Sequence, residues 1–305
     1  SILTMEKFIK SIFSFLILFL LCLFFFFLTL IVSTQILTSS SKQYKFEENI
    51  ELLFLGDSHI TNAVIDTLIP NAVNLAKRSE PYYYTYQRLK FISNNSKIEK
   101  VILGYSYHNI SSYYDEFITG YLSAVIPHKL FFCLEFSEKL RVLNWNRKKL
   151  ISVSKKIFKS FYHQYYNLVE ENDEYSFYDG YNNPFENEKI NLKNLQSRIS
   201  FQFYEEDKVR DLAVLNIIYL KKIIEFCQEK NIELSFLITP LHQVYISKVP
   251  SIFKYKFHNF AFENKIDLIN LESLNLSDSC YVPDGDHVTT KGAEITTSAI
   301  IESLN

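Results

Sequence analysis

The segment LFLGDSHI, residues 53–60, closes an apolar run with a small residue, an acid, a hydroxyl and an imidazole: Gly56, Asp57, Ser58 and His59. A short apolar run bounded in this way reads as a buried strand, so the polar group falls where a strand ends. Four more signals of the same kind follow. Strands are predicted at residues 50–55, 72–76, 100–104, 233–239 and 267–270, the fourth ended by Pro240. Helices are predicted at 81–94, opened by Pro81, and at 207–230, 249–264 and 291–304. Strands separated by helices imply an α/β fold, a doubly wound and mainly parallel five-stranded sheet with helices on both faces. Residues 110–205 lack a strand rhythm and are aromatic, polar and helix-prone; they read as a helical insertion, with a mobile loop at 170–194.

In such a sheet ligands bind beyond the carboxyl ends of the strands, which puts Ser58 where reactive groups are presented. A serine hydroxyl is a weak nucleophile until a general base takes its proton, and the base needs an acid to orient it. The segment YVPDGDHVTTKGAE, residues 281–294, offers both: Asp284 and His287, in a Pro-Asp-Gly turn just ahead of the last predicted helix. An Asp three residues before a His can curl back to hold one ring nitrogen while the other faces the serine. Asp286, adjacent to His287, is awkwardly placed for that bond. The plainer alternatives are a helix-capping role for Ser58 and a solvated turn for Asp284 and His287. Asp57 reads as a residue that holds its loop through backbone hydrogen bonds.

No charged residue occurs between Lys10 and Lys42, and residues 12–32 are almost wholly apolar; a bilayer span needs roughly 20 residues. Lys7 and Lys10 precede the run and favour a cytoplasmic N-terminus. The expected organisation is a cytoplasmic segment at 1–10, a transmembrane anchor at 11–34, a linker at 35–49 and the α/β domain at 50–305, with Met5 as the start of translation. No small-residue cleavage pattern follows the run, which favours an uncleaved anchor over a removed signal peptide. The net charge of −2 offers nothing to nucleic acid. Of four cysteines, Cys22 falls in the span and Cys133, Cys227 and Cys280 remain, an odd number without C-x-x-C spacing. Neither a zinc site nor a disulfide framework is expected from that pattern, and no metal or other cofactor.

Gly56-Asp57-Ser58 after a first strand, with Asp284-x-x-His287 near the end of the same α/β domain, resembles the SGNH/GDSL hydrolase superfamily. The resemblance covers residues 50–305 apart from the insertion. It implies a flavodoxin-like SGNH fold with Ser58 as nucleophile, His287 as general base and acid, and Asp284 as the residue orienting the imidazole. It also implies an oxyanion hole built from the backbone N–H of Ser58, a glycine N–H after the second strand and an asparagine side chain after the third. In VNLAKRSEP, residues 73–81, Ser79 stands near the place of that glycine. In VILGYSYHNI, residues 101–110, Ser106 stands at the asparagine position and Asn109 follows three residues later; either could face the oxyanion.

The G-D-S-H variant of the first block, the single anchor and the ending DGDHVTTKGAE, residues 284–294, are most similar to membrane-anchored SGNH-like proteins of cell-envelope polysaccharide O-acylation. Relatives of that kind are the alginate O-acetylation proteins and the D-alanyl transfer protein of teichoic-acid modification. The similarity implies a serine acyltransferase or esterase acting on O-acyl groups, O-acetyl above all, of an envelope carbohydrate through an acyl-serine. The implied setting is a bacterial inner (cytoplasmic) membrane, single-pass, with the C-terminal domain in the periplasm or outside the cell. Implied partners are the bilayer, an envelope polysaccharide or O-acylated sugar, and a multi-span membrane acyltransferase. The alternative is a catalytically silent protein of the same fold that binds glycan or such an acyltransferase. Candidate substrate contacts are His59, lining the pocket or packing beneath it, and His108 on the third-strand rim. Two more are His242 in ITPLHQVY, residues 238–245, otherwise a surface histidine, and Tyr82, which opens a tyrosine run able to stack on sugar rings.

Overall fold

Leu52, Leu53, Phe54 and Leu55 are all buried, because successive side chains of a strand point to opposite faces and both faces here are covered. This strand, β1 (Asn49–Leu55), pairs in parallel with β2 (Ala72–Asn74) on one side and β3 (Lys97–Gly104) on the other. Beyond β3 lie β4 (Glu233–Ile238) and β5 (Asp267–Asn270), also parallel. The spatial order is therefore 2-1-3-4-5. The chain winds one way from β1 to β2 and the other way from β3 onward, which makes the β1/β3 boundary the switch point where such sheets bind ligands.

The computed structural model describes residues 2–40, 48–125, 130–170, 179–186 and 188–304. They fall into two compact units, residues 1–45 with 161–175, and residues 46–160 with 176–305. The first contains α1 (Ile2–Ser40), within which Met5–Phe26 is long and apolar enough to cross a membrane; a signal sequence meets the same test. The helix spans residues 2–34 of the expected cytoplasmic and transmembrane segments and runs on to residue 40 in the expected linker, of which residues 41–47 lie outside the described residues.

In the second unit, α2 (Ser58–Ala63) follows β1 directly, and α3 (Tyr82–Ser93) connects β2 to β3. After β3 come α4 (Phe136–Trp145), α5 (Leu150–Glu170), of which residues 161–170 belong to the first unit, α6 (Leu192–Phe203) and α7 (Leu215–Lys230). Then α8 (Gln243–Lys248) and α9 (Ser251–Glu263) join β4 to β5, and α10 (Thr290–Leu304) closes the chain. One sheet face packs Leu52, Phe54, Ile102, Leu237 and Ile269 with Ile60 of α2 and Ile300 of α10. On β3 and β4 the remaining apolar positions meet other aromatics: the Tyr105 ring, just past β3, lies 4.8 Å from Phe236 and stacks on Phe257 of α9 at 4.2 Å. Each fully buried side chain of this size contributes roughly 1.5–3 kcal/mol.

Two expectations need correction. The helix predicted from residue 207 starts at Leu215, because residues 204–209 form a two-stranded antiparallel ribbon, Tyr204–Glu205 with Lys208–Val209. Its two-residue turn puts Glu206 and Asp207 at φ of 48° and 64°, the left-handed pair a tight hairpin requires. Of the loop expected to be mobile at 170–194, residues 171–178 and 187 lie outside the described residues, and residues 179–183 are held by hydrogen bonds. Asp179 and Gly180 donate backbone N–H groups to the Ala76 carbonyl at 3.1 and 3.2 Å, and Asn182 donates to the Thr61 carbonyl at 2.8 Å. Asn183 Nδ2 donates to the carbonyls of Asn62 and Val288 at 2.8 and 2.9 Å.

Candidate active site

β1 delivers Ser58 to the switch point through Gly56, whose φ of 141° is a conformation L side chains rarely adopt. A Cβ there would stand 2.9 Å from Ile60 Cγ1 and 3.2 Å from Gly104 Cα, and one on Gly104 would stand 2.5 Å from Ile60 Cγ1, so the two glycines make room for α2 over the strand ends. Asp57 caps α2, accepting from the His59 backbone N–H at 3.0 Å, which leaves Ser58 as the first helical residue.

The second loop closes over this point. Tyr281 bridges to Val288, and Gly285, with φ of 69°, turns the segment between them. Asp284 Oδ1 accepts the backbone N–H groups of Asp286 at 2.9 Å and His287 at 3.3 Å, fixing its carboxylate in the turn. Its Oδ2 lies 3.1 Å from His287 Nδ1, and His287 Nε2 lies 2.8 Å from Ser58 Oγ. A carboxylate accepts only, so Nδ1 carries the proton and Nε2 is the acceptor for the serine hydroxyl. Burial alone would raise the Asp284 pKa, but the charge and hydrogen bond of His287 outweigh it and hold the carboxyl below its usual value.

Beneath this chain lies a layer of buried polar residues, with the partly exposed Arg198 at its margin. His59 Nδ1 lies 3.0 Å from Thr239 Oγ1 and 3.1 Å from Ser106 Oγ, while its Nε2 is 3.2 Å from Asp286 Oδ1. Its ring centroid sits 4.9 Å from that of His287 and 4.7 Å from that of His108. Asp286 Oδ2 receives Arg198 Nε at 2.7 Å and Gln202 Nε2 at 2.8 Å. Asp57 Oδ2 receives Asn109 Nδ2 and faces His108 Nε2, each at 2.9 Å, and receives the Tyr114 hydroxyl. Asp57 thus holds three side chains from the segment after β3 in addition to its own loop. Burial opposes charge on Asp286, yet His59 and then Arg198 hold its pKa well below the carboxylate range. Burial likewise opposes charge on His59, and Asp286 raises its pKa in spite of that. For His108 burial prevails over Asp57 and the pKa is lowered. His59, Asp286 and His287 could each turn one ligand atom to a common metal ion, these atoms lying within 4.8 Å of one another. In this arrangement His287 is engaged by Ser58 and Asp284, Asp286 by Arg198 and Gln202, and His59 by Thr239 and Ser106.

A cavity of about 250 Å³ opens over Ser58 and His287. Ser79 lines it at a left-handed φ of 61°, the conformation a glycine would adopt freely. The backbone N–H groups of Ser58 and Ser79 have no partner among the described residues. Ser106 and Asn109 do not line the cavity: Ser106 Oγ is engaged by His59, and Asn109 Oδ1 accepts from Ser106 N–H at 2.8 Å and the Tyr82 hydroxyl at 3.2 Å. Tyr82 is buried, its hydroxyl also donating to the Gly104 carbonyl at 2.8 Å. His59 and His108 lie under the site and not in its wall. His242 caps α8, with Nδ1 accepting from Val244 N–H at 3.2 Å, and is also outside the cavity. The wall contains residues with no motif to mark them: Asn62, Arg78, Tyr113, Tyr114, Phe185 and Arg198. Only Asn62 had a local signal, its helical spacing of four from Ser58.

No protein-family model matches the chain, and no curated protein matches it. Among solved structures, one described as an acylhydrolase from Bacteroides fragilis aligns over 89% of this chain and 93% of its own, at 11% identity and a TM-score of 0.39. Another, described as a platelet activating factor from Streptococcus pneumonia, aligns over 91% and 92% at 10% identity and a TM-score of 0.41. Similarities this low carry no argument about chemistry.

Proposed function

We propose that this protein is a serine acyl-ester enzyme of the SGNH kind. It is anchored in a bacterial cytoplasmic membrane and transfers or hydrolyses O-acyl groups, O-acetyl above all, of a cell-envelope carbohydrate. The observation that carries the reading is the chain Ser58 Oγ, His287 Nε2, His287 Nδ1, Asp284 Oδ2, with 2.8 and 3.1 Å links, at a cavity on the switch point of the sheet. As Ser58 Oγ attacks the acyl carbon, its proton passes to His287 Nε2, and Asp284 stabilises the resulting imidazolium. The tetrahedral oxyanion meets the backbone N–H groups of Ser58 and Ser79. Collapse releases the alcohol, which takes the proton from Nε2 and leaves an acyl-serine. A second hydroxyl, from water or a sugar, then repeats the sequence in reverse and frees Ser58. The apolar stretch Met5–Phe26 supports membrane attachment, and a multi-span acyltransferase is the proposed source of the acyl group.

The test is labelling of the full chain, purified in detergent, with a serine-directed fluorophosphonate, followed by mapping of the adduct. Expected are an adduct on Ser58 and loss of both labelling and ester turnover in Ser58→Ala with folding intact. A folded chain that leaves Ser58 unlabelled and turns over no acyl ester sinks the enzymatic reading in favour of a silent binding protein.

A further inference from the structure

Acyl transfer through Ser58 calls for a side-chain donor beside the two backbone N–H groups, and both side chains expected for that role are committed beneath the site. Resting on the proposed role of Ser58, the geometry points to Asn62 as the donor that completes the oxyanion hole, held in place by Arg78. Asn62 follows Ser58 by four residues on α2, one turn along the same helical face. Both residues line the 250 Å³ cavity, and Asn62 is only 3% exposed.

Its orientation is decided by its neighbours. Asn62 Oδ1 accepts from Arg78 Nη2 at 3.1 Å and lies 3.2 Å from Thr61 Oγ1. A guanidinium has donors only, so the amide oxygen must face Arg78 and the NH2 group must face away from it. That NH2 donates to nothing among the described residues, although the Asn62 backbone carbonyl is satisfied by Asn183 at 2.8 Å. This donor opens on the cavity, where an entering oxyanion can accept from it. Arg78 is itself fastened, its backbone N–H to Asp179 Oδ2 at 2.9 Å and its guanidinium to the Asn182 carbonyl. Asn62 is therefore a catalytic residue of this site and Arg78 a positioning residue acting through it.

The experiment measures kcat and KM for 4-nitrophenyl acetate with the full chain in detergent, for wild type, Asn62→Ala, Asn62→Asp, Arg78→Gln and the Asn62→Ala/Arg78→Gln pair. Asn62→Asp keeps the shape and the Arg78 contact while removing the donor, which covers the case in which the alanine variant does not fold. Expected is a fall in kcat of about 10²–10³-fold for both Asn62 variants with KM within about threefold. Arg78→Gln lowers kcat roughly tenfold alone and adds nothing in the Asn62→Ala background. A folded Asn62 variant with wild-type kcat overturns the assignment while leaving the serine enzyme intact. Fully additive losses overturn the role of Arg78. A wild type that is inert, with Ser58 unlabelled, overturns the enzymatic reading and this assignment together.

Discussion

Asp284 and Asp286 sit two residues apart and do different work, because the Gly285 turn sends one toward His287 and the other into the protein. Replacing Asp284 by asparagine keeps the shape and removes the acceptor that selects the Nδ1–H tautomer. Ester turnover in Asp284→Asn is expected to fall by about 10²–10⁴-fold in kcat, with the urea midpoint nearly unchanged. Asp286, itself fully buried, instead neutralises His59 beneath the site and Arg198 at the cavity wall. The His59 pKa is raised from its ordinary value of 6.5, so the stabilisation it supplies is complete below 6.5 and is lost as pH rises through the folded value. His108 is shifted the opposite way, chiefly by burial, and favours the folded state above 6.5; its burial is common to wild type and His59→Gln, so the comparison reads mainly the His59 contribution. The stability difference between wild type and His59→Gln, read from urea unfolding at a series of pH values, is expected to be largest below 6.5 and to shrink on the alkaline side. A difference flat across that range would refute the buried ion pair.

At the scale of elements, the strands and the later helices were legible because their signals are local: apolar runs, Pro81 at the start of α3, and Asn231 at φ 54° ending α7. The start of α7 was not. Its first N–H groups are capped from a distance by Asp115, whose carboxylate accepts from Val214, Leu215 and Asn216 at 2.7, 3.2 and 2.8 Å. Nothing near residue 215 announces that cap. Asp115→Ala is expected to destabilise the domain by about 0.5–2 kcal/mol, measured by urea unfolding, with unchanged turnover per folded molecule. The same blindness applies to residues 179–186, which read as a polar loop and yet hydrogen-bond to the loops after β1 and β2. Their order comes from backbone partners about 100 positions away.

At the scale of the whole molecule, the site gathers Ser58, Ser79, Arg198 and His287 from four separate parts of the chain onto one sheet edge. Such a site exists only in the folded state, so activity and folding should be lost together. The N-terminal helix makes its own prediction: the full chain is expected to stay in the membrane pellet after alkaline carbonate extraction. Protease added outside the inner membrane is expected to digest the C-terminal domain while intact membranes protect the first residues. Release by carbonate would remove the anchor from the account.

By itself the sequence determined the parallel five-stranded sheet and the candidacy of Ser58, Asp284 and His287. Strand runs, a glycine turn and a D-x-x-H spacing are short-range patterns that any reader of the chain can see. Only the tertiary structure decided that Asn109 and Ser106 serve the buried layer, that Asp286 belongs to Arg198 and His59, and that Asn62 and Arg78 stand at the cavity. Those assignments depend on which hydrogen-bond partners a polar side chain meets after long-range packing. An asparagine or an arginine carries no mark of that partner in its own neighbourhood.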